Sequence, residues 1–343
     1  MQATMTANRT QNTRKTDTMK AIVQEKYGSA DVLELREIIK PQIADDEVLL
    51  RVHAAGVDRG VWHLMTGLPY LVRIAGFGLT RPKTPTPGLD LSGVVEAVGK
   101  NVTRFKPGDE VFGIGKGAYA EYAVAKETKL APKPANLSFE QAAVVAISGL
   151  TALQGLRDVA KVQPGQKVLI LGASGGVGTY AVQVAKTLGA VVTGVAGPDK
   201  QELVREIGAD HVIDYTKEEI TDSGEKYDVI FDIGGNRKLR TLRRALAPKG
   251  TLVIVGGENG GRWFGGVDRQ LRAMLLSMFV GQTLTSFISS ENHEDMLKLK
   301  QMIEADSIRP VVNAVYDLEQ TSDAIRDLEA GRVRGKAVIS VLS

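Results

Sequence analysis

One stretch constrains the fold of this chain more than any other: VLILGASGGVGTYAVQVAKTLGA, residues 168 to 190. Leu169 to Leu171 end an apolar strand, and four glycines then fall between Gly172 and Gly178. Ala181, Val184, Ala185 and Leu188 follow at helical spacing. A strand, a glycine-rich turn and an apolar-faced helix form the context in which a dinucleotide fingerprint has meaning. In the run Ala173, Ser174, Gly175, Gly176, Val177, Gly178, alanine stands where G-x-G-x-x-G has its first glycine. Gly175 still lets backbone approach a pyrophosphate, and Gly178 still lets helix pack on strand. The helix N-terminus supplies N–H groups and a positive dipole end for the anion. A P-loop is excluded, because no Lys-Ser or Lys-Thr follows the glycines.

What surrounds this turn sets the fold class. From Lys167 onward, KVLIL, AVVTGV, HVIDY, DVIFDI, TLVIVG and TLTSFIS alternate with helical runs such as KQELVREIG. These strands are rich in Val and Ile without polar alternation, as in a parallel sheet covered on both faces. Six of them make a doubly wound Rossmann sheet. Before it, from Met19 to about Leu130, short β segments are separated by Gly, Pro and Asp, the spacing of a barrel or sandwich. A helical stretch over Phe139 to Arg157 joins the two patterns. After Glu291 come the helix HEDMLKLKQMIEA, the strand VVNAVYDL, the helix QTSDAIRDLEAG and the strand KAVISV, which are expected to return to the first domain.

With 343 residues the chain is long enough for about two domains at ~150 residues each. The expected boundaries are a disordered extension over 1–18, a catalytic domain over 19–140 completed by 290–343, and a dinucleotide-binding domain over 141–289. An organelle transit peptide is the other reading of the extension. The formal charge of +3 belongs to residues 1–20: Arg9, Arg14, Lys15 and Lys20 face only Asp17 there, and the rest balances at 39 against 39. No basic face for nucleic acid is therefore expected. Cysteine is absent, which removes disulfides and thiolate metal sites and suits a cytoplasmic protein. No apolar run approaches the ~20 residues of a membrane span, so no membrane partner is expected.

The second strand ends in Ala196 and Gly197, with no carboxylate to read a ribose 2′-OH or repel a 2′-phosphate. Lys200 and Tyr215 suit a 2′-phosphate, which favours NADPH; Asp199 could reach the ribose instead, which keeps NADH as the alternative.

Several motifs together resemble the zinc-free quinone oxidoreductases of the medium-chain dehydrogenase/reductase superfamily, from about Met19 to the C-terminus. They are GLDLSGVVEAVG at 88–99, RFKPGDEVFG at 104–113, GAYAEY at 117–122, SGLTAL at 148–153, GASGGVG at 172–178 and GRVRGKAVI at 331–339. The resemblance implies an α/β chain with a GroES-like β-barrel beside the Rossmann domain. It places Thr151 against the nicotinamide, and Gly256, Gly257 and the segment around Phe287 along the cofactor. It also places Tyr70 near the substrate and His63 where a proton relay sits, and it pairs the edge strand TLTSFIS across a homodimer. The zinc-dependent members hold their metal with two cysteines and a histidine. The matching positions here are Asp58, Leu89 and Ile147, so no zinc is expected. Where many relatives carry Asn-Pro-x-Asp, this chain has Asp58-Arg59-Gly60-Val61.

Hydride transfer without a metal to polarise an oxygen calls for an acceptor that is already electrophilic, a quinone or an α,β-unsaturated carbonyl. Tyr70 or His63 could supply the following proton, as could solvent. Two alternatives stand beside this reading: a carbonyl or alcohol oxidoreductase of the same fold, and a non-catalytic nucleotide-binding member.

Overall fold

The computed structural model describes residues 17–235, 237–257 and 261–342. All but the last two residues of the 1–18 extension lie outside that range.

The first part of the chain is β. Strands β1 (Thr18–Val23) and β2 (Glu34–Ile39) form a separate antiparallel pair. The strands β3 (Glu47–Val57), β4 (Asp90–Val98), β5 (Glu110–Ile114), β6 (Tyr122–Lys126) and β7 (Leu130–Pro132) belong to a seven-stranded sheet. Its inward residues, among them Val48, Leu50, Val52, Leu91 and Val111, are buried in one core with Tyr119 from the β5–β6 connection. Between β3 and β4 the chain makes the helix Arg59–Thr66, short helical segments over Tyr70–Val72 and Arg73–Phe77, and a loop, together the mouth segment.

The helical stretch Phe139 to Arg157 is divided into segments, the last of them a π-helical turn over Gly155–Val159. Ser138 caps Phe139–Ala142 through a capping box with Gln141, and the second helix is Ala146–Gln154. Beyond it, β8 (Lys167–Leu171), β9 (Val191–Ala196), β10 (His211–Asp214), β11 (Tyr227–Asp232), β12 (Leu246–Ile254) and β13 (Thr283–Ser286) lie in the order β10-β9-β8-β11-β12-β13. Every pairing is parallel, and the order is that of a Rossmann sheet. The unbroken apolar runs follow from burial on both faces. In β8, Val168 and Ile170 enter one core, while Leu169 and Leu171 enter another on the opposite side.

The last part of the chain serves both sheets. The helix His293–Glu304 packs Met296, Leu299 and Ile303 into the core of the parallel sheet. Strands β14 (Val312–Asp317) and β15 (Lys336–Ser340) then extend the seven-stranded sheet, with β15 antiparallel to β3. Among the described residues no helix is long and apolar enough to cross a membrane.

Candidate active site

The order of the parallel sheet reverses between β8 and β11, and ligands of such sheets bind beyond the carboxyl ends of the strands at that point. The glycine turn sits there. Gly172 leaves β8 with φ +83, a conformation open to glycine, and a Cβ on it would come within 3.5 Å of the Gly234 nitrogen after β11. The helix Gly176–Thr187 starts at once, capped by Gly175 in extended conformation. At Gly178 a Cβ would fall 2.0 Å from the Gly172 carbonyl oxygen, so only glycine closes this turn. At Gly175 the nearest protein atom would be 3.5 Å away, leaving a cradle that faces outward. Ser174 is buried, and its carbonyl accepts a 2.8 Å hydrogen bond from the Gly335 N–H. Val177 packs at the edge of the core, and Gly176 lies against the Lys336 side chain and the Ser148 hydroxyl. The residues present thus fit a dinucleotide pyrophosphate.

From the turn a cavity of about 650 Å³ runs along the ends of β8, β9 and β11. Lys200, Tyr215, Asp199, Asp232, Arg237 and Gly331 line it. The Lys200 ammonium donates to the carbonyls of Gly331 at 2.7 Å and Val333 at 3.0 Å. Burial, and then Arg334 nearby, hold it below the usual lysine range. An ammonium has three N–H groups, so one remains for an anion in the cavity. Tyr215 is more than half exposed, with its ring against Gly197.

Gly256, after β12, presses so closely on the turn after β11 that a Cβ would lie 2.0 Å from the Ile233 carbonyl oxygen. Phe287 packs its ring against Gly155 in the core. The Thr151 hydroxyl donates to the Ile147 carbonyl at 2.7 Å and lies 3.2 Å from the Ser289 hydroxyl. Tyr70 begins the short helix Tyr70–Val72, its ring 5.1 Å from that of Trp263 and 4.9 Å from the Arg73 guanidinium. His63 is tied through Nδ1 to the Leu68 carbonyl at 2.8 Å.

Two charged residues that the sequence left without a role meet on the barrel side. Lys336, the first residue of β15, directs its ammonium between Asp58 and Asp90, bonding Asp58 and lying 3.6 Å from Asp90. All three side chains are buried. Asp90 accepts the Ile147 N–H at 2.9 Å, and burial, together with the neighbouring Asp58, pushes its carboxyl well above the usual range. Of the three positions matching a metal site, Asp58 is thus bound by a lysine, and Ile147 donates its N–H to the neighbouring Asp90. Among the described residues no group of three His, Cys, Asp or Glu could hold a metal ion. The signal was a lone Asp and a lone Lys inside the apolar runs GLDLSGVV and GKAVISV. Arg237 and Arg334, beside the cofactor cavity and Lys200, gave no spacing signal.

A family model described as an alcohol dehydrogenase GroES-like domain matches residues 44–135, and one described as a zinc-binding dehydrogenase matches 207–339. The chain is 34% identical over 335 residues to a quinone oxidoreductase of Sus scrofa, covering 94% of this chain and 97% of that protein. It is also 34% identical to the chloroplastic NADPH-dependent alkenal/one oxidoreductase of Arabidopsis thaliana, covering 94% of this chain and 79% of that one. The solved quinone oxidoreductase of Coxiella burnetii superposes with a TM-score of 0.85 at 28% identity, over 95% of this chain and 100% of that one.

Proposed function

The chain belongs to the quinone oxidoreductase family of the medium-chain dehydrogenase/reductase superfamily, and from that membership we propose that it reduces quinones or α,β-unsaturated carbonyls with NADPH and without a metal. It is an oxidoreductase of a family that uses a nicotinamide cofactor. The observation that carries the finer reading is the centre built on Asp58, Leu89 and Ile147. Leucine and isoleucine cannot ligate, and the Asp58 carboxylate is engaged by Lys336. With no Lewis acid expected there, the acceptor must bring its own electrophilic carbon.

NADPH is supported by Lys200, which stands in the cofactor cavity with Tyr215 and with Arg237, the latter paired with Glu219. Asp199 is the feature that favours NADH, as it lines the same cavity. When bound, the cofactor supplies the hydride; what the chain supplies is binding, orientation and a proton. The turn from Ser174 to Gly178 holds the pyrophosphate, Gly256 and Phe287 border the cofactor, and Thr151 orients the nicotinamide. The contact of Tyr70 with Trp263 narrows the cleft against water. In this reading the Tyr70 hydroxyl donates the proton that completes reduction of an enone, and His63 relays one from solvent. The protein works as a cytoplasmic homodimer, joined along the β13 edge.

The test is a panel of acceptors with chelator-treated protein. NADPH should be oxidised with a quinone and with an enone, faster than NADH is, and a saturated ketone should be inert. Turnover of saturated ketones or alcohols that depends on added zinc would overturn the reading.

A further inference from the structure

The barrel domain holds a second cavity, of about 450 Å³, apart from the cofactor cavity. It is lined by Val61, Leu64 and Met65 of the Arg59–Thr66 helix, by Phe77 of the mouth segment, and by Leu89 and Ile114. We propose that it receives an extended hydrocarbon chain on the acceptor, so that the preferred substrates are quinones or enones with a long apolar substituent. This rests on the reductase reading above.

Size, lining and position support it. Native interiors are packed to crystal density, with voids seldom larger than a water molecule, whereas this cavity lies in the range of small-molecule sites. Apart from the exposed Lys83, its charged side chains are paired, Lys126 with Asp46 among them. Gln24 donates to the Met65 carbonyl at 3.2 Å, Lys129 pairs with Glu291, and Lys116 lies 3.9 Å from Glu47. The buried side-chain N and O atoms left without a partner among the described residues belong to Asp58, Trp62, Asp90 and Arg269, none of them in this lining. A ligand here thus meets apolar wall and no unsatisfied buried polar atom, which selects hydrocarbon over a polar group. At its inner end Leu89 packs against the same core as Ile147, one helical turn before Thr151. At its outer end Phe77 is half exposed, between Ile74 at 70% and Leu79 at 69%. In this proposal the cavity leads from Leu89, on the core that Ile147 also joins, to the apolar lip at Phe77, the path that a tail needs when its ring lies at the nicotinamide.

The experiment compares 1,4-benzoquinones bearing no chain or linear alkyl chains of increasing length. KM should fall about two- to fourfold per added methylene until the cavity is filled and then level off, with kcat nearly constant. Leu64→Trp should flatten this dependence and leave KM for the chain-free quinone unchanged; should that variant not fold, Leu64→Phe should bring the plateau to shorter chains. A KM independent of chain length, or an unaltered dependence in a folded Leu64 variant, overturns the proposal. Titration calorimetry with 1-decanol, which cannot be reduced, separates the two readings. Binding to the wild type that Leu64→Trp abolishes, without turnover of any quinone or enone, would sink the reductase reading alone. Turnover with flat KM and no decanol binding would sink the cavity proposal alone.

Discussion

Lys200 carries two roles that one substitution can separate. Two of its N–H groups hold the carbonyls of Gly331 and Val333, and the third is the donor proposed for a 2′-phosphate. A charge-assisted hydrogen bond contributes roughly 1.5–3 kcal/mol, about ten- to a hundredfold in affinity. Lys200→Ala should weaken NADPH by about that factor while NADH changes little, as fluorescence titration would read. Equal losses for both cofactors would make Lys200 a clamp on the 331–333 segment and nothing more. The buried group around Lys336 makes a pH-dependent prediction. A carboxyl whose pKa is raised in the folded state gives stability that is complete below its unfolded pKa, about 3.9, and lost as pH rises through the folded value. Asp90 is raised by burial and by Asp58, so Asp90→Asn, which removes the titration, should gain on the wild type as pH rises from about 4 to 8 in denaturant unfolding. A difference that is flat, or that runs the other way, would mean that Asp90 is an ordinary ionised partner of Lys336. The role of Lys200 toward a 2′-phosphate was legible in the sequence, but the group around Lys336 was not. Asp58 and Lys336 are 278 residues apart, and only the antiparallel pairing of β15 with β3 brings them together.

At the scale of elements, the glycine turn separates what closes the fold from what binds. A Cβ at Gly178 would strike the Gly172 carbonyl at 2.0 Å, whereas one at Gly175 would meet no protein atom closer than 3.5 Å. Gly178→Ala should therefore destabilise the protein by roughly 2–4 kcal/mol, as overpacking against backbone does. Gly175→Ala should leave the melting temperature nearly unchanged and weaken cofactor binding at least about tenfold, because its methyl group occupies the space the pyrophosphate needs. A Gly175→Ala protein that binds cofactor normally would place the pyrophosphate elsewhere. The elements most legible in the sequence owed their signal to burial on both faces. All six strands of the parallel sheet stand where their Val- and Ile-rich runs put them. The run from Phe139 to Arg157 is helical as read, but its break at Ala143–Val145 was not legible because alanines and valines continue across it, and only the capping box of Ser138 and Gln141 marks a helix start. The three-residue strand β7 is too short to show a period of two. Similarly, nothing in the residues from Trp62 to Pro87 announced the barrel cavity, whose walls come from several elements.

For the whole molecule, a free edge of the parallel sheet and an exposed apolar helix face lie side by side. Strand β13 ends that sheet, and an edge strand presents unpaired backbone N–H and C=O groups. Beside it the helix Val267–Ser277 buries Ala273 inward and turns Leu271, Met274 and Leu275 outward. Met278 and Phe279 continue the stripe at 69% and 81% exposure. The spacing i, i+3, i+4, i+7, i+8 is that of one helical face, and it points away from the chain's own core. A two-fold related copy would pair β13 with β13 and lay one stripe on the other. In such an isologous contact every substitution acts twice. Burial of a large apolar side chain contributes roughly 1.5–3 kcal/mol, so Leu275→Glu with Phe279→Glu should raise the dimer dissociation constant by a thousandfold or more, roughly, and leave monomers in sedimentation velocity runs. The glycine turn, the Lys336 cluster and the barrel cavity all belong to a single chain, so the monomeric variant should retain its kcat. A wild-type protein that sediments as a monomer would refute the homodimer, and a monomeric variant without activity would show that a neighbouring copy completes the site.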